Sequence, residues 1–319
     1  MKNRIIFFGT PEFAAFQLRY LIKEGFNIVG VVTTPDRPKG RGRKLQACEV
    51  KETALAHNIP VLEPNNLKSE EFNEELIALK PDLQVVVAFR MLPEKVWKLP
   101  NMGTINLHAS LLPNYRGAAP INHTIINGEE KSGVSTFLLK HEIDTGNILL
   151  QKEVDIDPND NAGDLHDKLM QAGAPLLAET IRGLFSNEIT PVDQQDLINK
   201  ENISPKHAPK IFKDDCKLSL SQPVAALHNK IRGLSPYPGA FFDISYLDKP
   251  AVLKIYKSEL LDEGPKLGSG KLEFWEKKLV LGLENGVIAL EMVQISGKQR
   301  MSGREFANGF QLNKIIFSS

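Results

Sequence analysis

Two short apolar runs separated by one amphipathic segment set the frame for this chain. Ile5-Ile6-Phe7-Phe8 closes on Gly9, and Ile28-Val29-Gly30-Val31-Val32 follows after Gly25. Between them Phe13, Phe16, Leu18, Leu21 and Ile22 recur at helical spacing. Thr10 can cap that helix, Pro11 suits its first position, and Glu12 favours its positive end. Strand, helix and strand within about 30 residues make a crossover unit, which only parallel strands require. Such a sheet needs helices on its faces, and the rest of the first half supplies them. Residues 49–58, 69–80, 118–128 and 162–186 read as helices; 83–89, 104–108, 134–139 and 147–154 read as strands.

The register changes near residue 187. Residues 187–209 are polar and hold Pro191, Pro205 and Pro209, which predicts a linker. Beyond it a helix is expected over 222–233. Short strands are expected over 240–247, 251–260, 278–284 and 286–295, forming a small β-rich domain or barrel.

Composition excludes several classes. The chain has 319 residues, enough for about two domains. Lys+Arg and Asp+Glu both number 39, so nucleic-acid contact would need local patches rather than bulk charge. The two cysteines, Cys48 and Cys216, have no metal-ligand spacing, and a reduced, cytoplasmic location is expected. No run approaches the roughly 20 apolar residues of a membrane span, and the N-terminal run is too short for a signal peptide.

Three stretches could carry chemistry. In Ile105-Asn106-Leu107-His108, alternation puts Asn106 and His108 on one face of a strand, at the carboxyl end where open α/β sheets bind ligands. An amide can hydrogen-bond an oxyanion and an imidazole can carry a proton, but a hydrogen-bonded strand end fits the spacing equally. Asp144, in Asp144-Thr145-Gly146, lies between two strands and by itself reads more simply as a turn aspartate. Thr34 to Lys44 is a basic Pro/Gly-rich loop suited to phosphate contact, or else a solvated face. Gly9-Thr10-Pro11 is not part of a Gly-x-Gly-x-x-Gly fingerprint, so dinucleotide binding is not supported.

Together these residues resemble the methionyl-tRNA formyltransferase family over essentially the whole chain. The markers are Gly9-Thr10-Pro11-Glu12-Phe13-Ala14, Pro35-Asp36-Arg37-Pro38 with Gly40-Arg41-Gly42, and Asn106-x-His108. Ser110-Leu111-Leu112-Pro113-x-Tyr115-Arg116-Gly117-Ala118-Ala119-Pro120 and Asp144-Thr145-Gly146 follow. Ile231-Arg232-Gly233-Leu234 and Pro236-x-Pro238-Gly239-Ala240 match the family's second domain. The chain departs from the pattern at Phe89-Arg90, where relatives have Tyr-Gly, and at Cys216 to Leu220, where many have Ile-x-Trp.

The resemblance implies an α/β architecture: a Rossmann-like formyltransferase domain with a parallel-rich sheet over 1–189, a linker over 190–208, and an OB-like β-barrel tRNA-binding domain over 209–319. It implies transfer of the formyl group of 10-formyltetrahydrofolate to the α-amino group of methionine on initiator methionyl-tRNA. It assigns catalysis to Asn106, His108 and Asp144, folate contact to Ser110, Leu111, Leu112 and Pro113, and tRNA contact to Arg37, Lys39, Arg41, Arg43 and Lys44. No metal is expected, and a monomer is. Formylation of a sugar nucleotide or a purine precursor would use the same Asn/His/Asp set. A tRNA-binding module without catalysis would use only the barrel and the loop.

Overall fold

The computed structural model describes residues 3–39 and 44–318. The chain divides into two compact units. One comprises Met1–Gly117, Ser132–Asp155 and His166–His207, and the other Ala118–Lys131, Ile156–Leu165 and Ala208–Ser319.

The first unit is built on seven strands: β1 (Ile5–Gly9), β2 (Ile28–Val32), β3 (Val61–Leu62), β4 (Leu83–Val87), β5 (Thr104–His108), β6 (Lys131–Leu138) and β7 (Ile148–Asp155). Their spatial order is β7-β6-β5-β4-β1-β2-β3. β1 pairs parallel with β2 and β4, β2 with β3, and β4 with β5; β6 joins β5 antiparallel. The parallel-rich sheet expected from the sequence is therefore present. β1 and β4 are buried at every position, as strands covered on both faces must be. Ile6, Phe8, Val32 and Val86 meet Phe72 and Leu76 of the helix Glu70–Ala78 in one apolar cluster. Each such side chain contributes about 1.5–3 kcal/mol through burial.

The chain runs outward from β1 through β2 to β3, then returns to β4 and β5 on the other side of β1. The order reverses between β1 and β4, which is where such sheets open a crevice at their carboxyl ends. Gly9 stands opposite Val87 there, and a Cβ on Gly9 would lie 3.1 Å from the Val87 carbonyl oxygen. The helix after β1 spans Glu12–Lys23 with Pro11 as its N-cap, one residue later than expected. Thr10 does not cap it; its hydroxyl accepts instead from Thr33 at 3.4 Å. Residues 190–208, expected to be a linker, contain the helix Gln194–Glu201, capped by the Asp193 side chain.

The second unit carries an antiparallel, nearly closed sheet of β8 (Ala240–Tyr246), β9 (Lys249–Leu260), β10 (Leu272–Trp275), β11 (Lys278–Leu283), β12 (Gly286–Ile295), β13 (Met301–Ser302) and β14 (Ile315–Phe317). The order is β10-β11-β12-β9-β8-β14, with β13 on β12. Register shifts around Lys257 bend the long β9 where it pairs with β12, as bulges do. Leu227 and Ile231 of the helix Val224–Gly233 close the core against Phe242, Ile255, Leu281 and Phe306. β10, β14 and the short helix Gly303–Gly309 were not apparent from the sequence pattern.

Candidate active site

Asn106 and His108 lie on β5 as alternation predicts, with His108 as its last residue. They sit between the neighbouring strands: Asn106 is in register with Val86 on β4 and Phe137 on β6, and His108 with Ser135. His108 is buried, and its ring meets the edge of Phe137 at 6.4 Å between centroids. Its Nε2 lies 2.9 Å from the Tyr115 carbonyl oxygen. A carbonyl only accepts, so Nε2 carries a proton and donates it.

That leaves Nδ1 facing a carboxylate. Asp144 Oδ2 is 3.9 Å away, and both side chains are largely shielded from solvent. A proton bound at Nδ1 would point toward Asp144. The same Oδ2 accepts from the Gly117 backbone N–H at 3.0 Å, which fixes its direction. Asp144 and Tyr115 both adopt left-handed backbone conformations, with φ of 55° and 60°. Such positions persist only where surrounding contacts impose them.

At Tyr115 they are its N–H on the Lys206 carbonyl at 2.6 Å and His108 on its own carbonyl; at Asp144 they come from a residue that the sequence pattern did not mark. Gln194, at the start of the helix within the expected linker, is 1% exposed. Its Nε2 donates to the Asp144 carbonyl at 2.9 Å and to the Gly146 carbonyl at 2.7 Å. Its Oε1 accepts from Arg116 Nε at 2.9 Å and Nη2 at 2.6 Å. Lys140 reaches Asp193 at 3.0 Å and ties the same loop to the helix cap. Burial pushes the Arg116 guanidinium down from its ordinary value, opposed by Asp144, Glu142 and Asp193. The available signal was Asp193 ahead of a first turn holding Asp196, a helix-start pattern.

Asn106 is half-buried, and its buried Oδ1 meets no hydrogen-bond partner among the described residues. A buried acceptor in that state is suited to a ligand's donor. The turn after β5 is more inward-facing. Ser110 is fully buried and donates to the Asn114 carbonyl at 2.7 Å, and Leu112 packs with Phe137 and Ile148. Pro113 is buried and Leu111 half-buried. Ser135 secures the turn, donating to the Ser110 carbonyl at 2.6 Å and accepting from the Leu112 N–H at 3.0 Å.

The basic loop springs from β2. Arg37–Lys39 and Lys44–Gln46 pair as an antiparallel hairpin, which places Arg37, Lys39 and Lys44 by backbone; Arg41 and Arg43 lie outside the described residues. Lys51 anchors its root, reaching Asp36 at 2.9 Å and Glu63 at 2.8 Å. Hydrogen bonds to Glu63 and then Asp36 hold its ammonium above the ordinary lysine value. Among the described residues no three His, Cys, Asp or Glu side chains cluster as metal ligands, and no helix is long and apolar enough to cross a membrane.

Comparison with known proteins places this geometry in a family. The methionyl-tRNA formyltransferase of Flavobacterium johnsoniae is 47% identical over 308 residues, covering 97% of this chain and 96% of that one. The enzyme of the same name from Bacteroides thetaiotaomicron is 45% identical over 312 residues, with 97% and 96% covered. A solved N-formyltransferase from Helicobacter canadensis, in complex with folinic acid and dTDP-3-aminofucose, shares the fold at a TM-score of 0.64 and 24% identity, covering 91% of this chain and 99% of that one. The formyl transferase family model matches residues 2–181 and its C-terminal domain model residues 210–311, so the chain belongs to the formyl transferase family.

Proposed function

We propose that this chain transfers the formyl group of 10-formyltetrahydrofolate to the α-amino group of methionine on initiator methionyl-tRNA, for translation initiation. The observation that carries the reading is the convergence of Asn106, His108 and Asp144 at the carboxyl end of β5, in a chain matched along its length by enzymes of that name.

The residues fit such a reaction. Asn106 brings an amide whose buried oxygen has no partner within the described residues, so it can orient the incoming amine or, through its N–H, hold the formyl oxygen. His108, with Nε2 committed to Tyr115, presents Nδ1 to the reacting groups. Protonated there, it stabilises negative charge developing on the formyl oxygen. Asp144 faces that proton and, anchored by Gly117, can take up the proton that the attacking nitrogen must lose. N10 carries no proton in the formyl donor and takes one as its bond to the formyl carbon breaks. The proton that the attacking nitrogen gives to Asp144 is matched by one that His108 hands to N10, so the transfer balances with no oxidant or reductant.

The folate contact assigned to Ser110 to Pro113 falls best on Leu111 and the turn's backbone, because Ser110 and Leu112 are buried. The tRNA contact is assigned to Arg37, Lys39, Arg41, Arg43 and Lys44 on the hairpin. The division of labour assigns catalysis, with the hairpin's tRNA contact, to residues 1–189 and further tRNA binding to the barrel domain over 209–319, working as a monomer in the cytoplasm.

The test is formyl transfer from 10-formyltetrahydrofolate to methionyl-tRNA, with an amino-sugar nucleotide as competing acceptor. Formylmethionyl-tRNA as the product is expected. A formylated sugar and unreacted tRNA would keep the three residues and overturn the acceptor. Arg41→Ala should weaken tRNA binding, and the affinity should fall with rising salt.

A further inference from the structure

The second unit exposes an aromatic ring that its packing does not explain. Tyr237, in Ser235-Pro236-Tyr237-Pro238-Gly239, is 83% exposed, more than any other large hydrophobic side chain among the described residues, although the unit gathers twenty buried residues into one core. A solvent-facing tyrosine adds little to the fold. The loop carrying it is nonetheless held on both shoulders, and both holds are cations. Arg300 Nη2 donates to the Pro236 carbonyl at 3.0 Å, and Lys254 Nζ to the Pro238 carbonyl at 3.0 Å.

The Arg300 hold is itself supported. Its guanidinium lies over the Tyr256 ring, 3.5 Å from the centroid. The Tyr256 hydroxyl donates to Gln294 at 2.9 Å, and Gln294 donates to the Lys298 carbonyl at 2.8 Å. Gly239 lets the loop lie against Tyr256, since a Cβ there would stand 2.9 Å from Cε1 of that ring. The strand turn behind the loop runs Lys298-Gln299-Arg300-Met301-Ser302-Gly303-Arg304, with three cations and no carboxylate. A guanidinium has five N–H donors and an ammonium three, and the loop uses one of each.

We propose that Tyr237, Arg300 and Lys254 form a stacking site for an unpaired RNA base, with the ring taking the base and the two cations the adjoining phosphates. Exposed rings beside cations bind single strands in this way, because every base has a flat face and every linkage a charge. An acidic peptide would use the cations but not the ring. This inference rests on the tRNA substrate proposed above and names an RNA subsite in the second unit, apart from the basic hairpin.

The test uses the full chain and two probes, methionyl-tRNA and a six-residue oligoriboadenylate. Tyr237→Ala should weaken binding of both roughly tenfold. Tyr237→Phe should stay within twofold of the parent, because stacking needs the ring and not the hydroxyl. Arg300→Gln should lower the slope of log affinity against log salt by about one. Unchanged melting of Tyr237→Ala shows that the loss is not misfolding. If the chain formylates no tRNA yet binds the oligonucleotide through Tyr237, the substrate reading fails and the stacking site stands. Tyr237→Ala binding both probes within twofold of the parent overturns the site, as does a parent chain that binds no oligonucleotide. A polyglutamate peptide that displaces RNA equally from the parent and Tyr237→Ala also overturns it, leaving charge attraction alone.

Discussion

Gln194 holds Asp144 in place through the backbone: its amide nitrogen donates to the Asp144 carbonyl at 2.9 Å, and to the Gly146 carbonyl at 2.7 Å. Gln194→Glu keeps the acceptor that Arg116 uses but removes both donors, leaving two loop carbonyls without partners. Each buried orphan costs about 1–3 kcal/mol, which the loop can recover only by moving Asp144. The expected outcome is a fall in kcat of about tenfold or more with little change in KM for the folate. Steady-state kinetics on a variant shown folded by circular dichroism measures it, and a parental kcat would show that the loop holds its shape unaided.

The same geometry predicts how the three central residues divide the work. Asn106→Ala should lower kcat by about 10²–10³, the usual effect of losing one oxyanion donor. His108→Ala and Asp144→Asn should each lose orders of magnitude in turnover while folding normally. Near-parental turnover in both of the latter, with folded protein, contradicts the assignment of His108 and Asp144.

Much of this site was readable from the chain because strand geometry carries it. Asn106 and His108 are two apart on a strand, and alternation alone puts them on one face. Asp144 is different: nothing in a spacing of dozens of residues brings it to His108, and only the resemblance of the surrounding motifs pointed there. Gln194 was hidden because its helix lies in a polar, proline-flanked stretch and its partners are backbone atoms far away in sequence. The short helix Gly303–Gly309 escaped for a related reason. Its two terminal glycines argue against a helix, although Ser302 and Glu305 form a capping box around its start.

Gly146 shows why the loop needs Asp-Thr-Gly rather than an aspartate alone. A Cβ there would stand 1.5 Å from the Leu138 carbonyl oxygen, so backbone must move. Gly146→Ala should therefore cost about 3 kcal/mol and depress turnover by shifting its neighbour Asp144. Gly309→Ala is the matched control: a Cβ there meets nothing within 4 Å, and the melting temperature should be unchanged or slightly raised. Equal melting temperatures for the two variants would show that the loop relaxes freely.

His228 makes the second unit sensitive to acid. It is buried, with Nδ1 3.0 Å from the Ser258 hydroxyl. Burial pushes its imidazole below the ordinary histidine value, Arg232 pushes it further, and Glu291 opposes them. The folded chain thus favours the neutral ring, while the unfolded chain takes up a proton near pH 6.5. Between those two values the unfolded state binds more protons, so stability rises with pH. The contribution is complete above about pH 6.5 and is lost as pH falls toward the folded-state value, by at most about 1.4 kcal/mol per pH unit. His228→Gln should be less stable than the parent at pH 7.5, having lost a packed ring, yet should lose less on going to pH 5.5. Urea unfolding at the two pH values gives both differences, and parallel losses in parent and variant would place the acid sensitivity at another group.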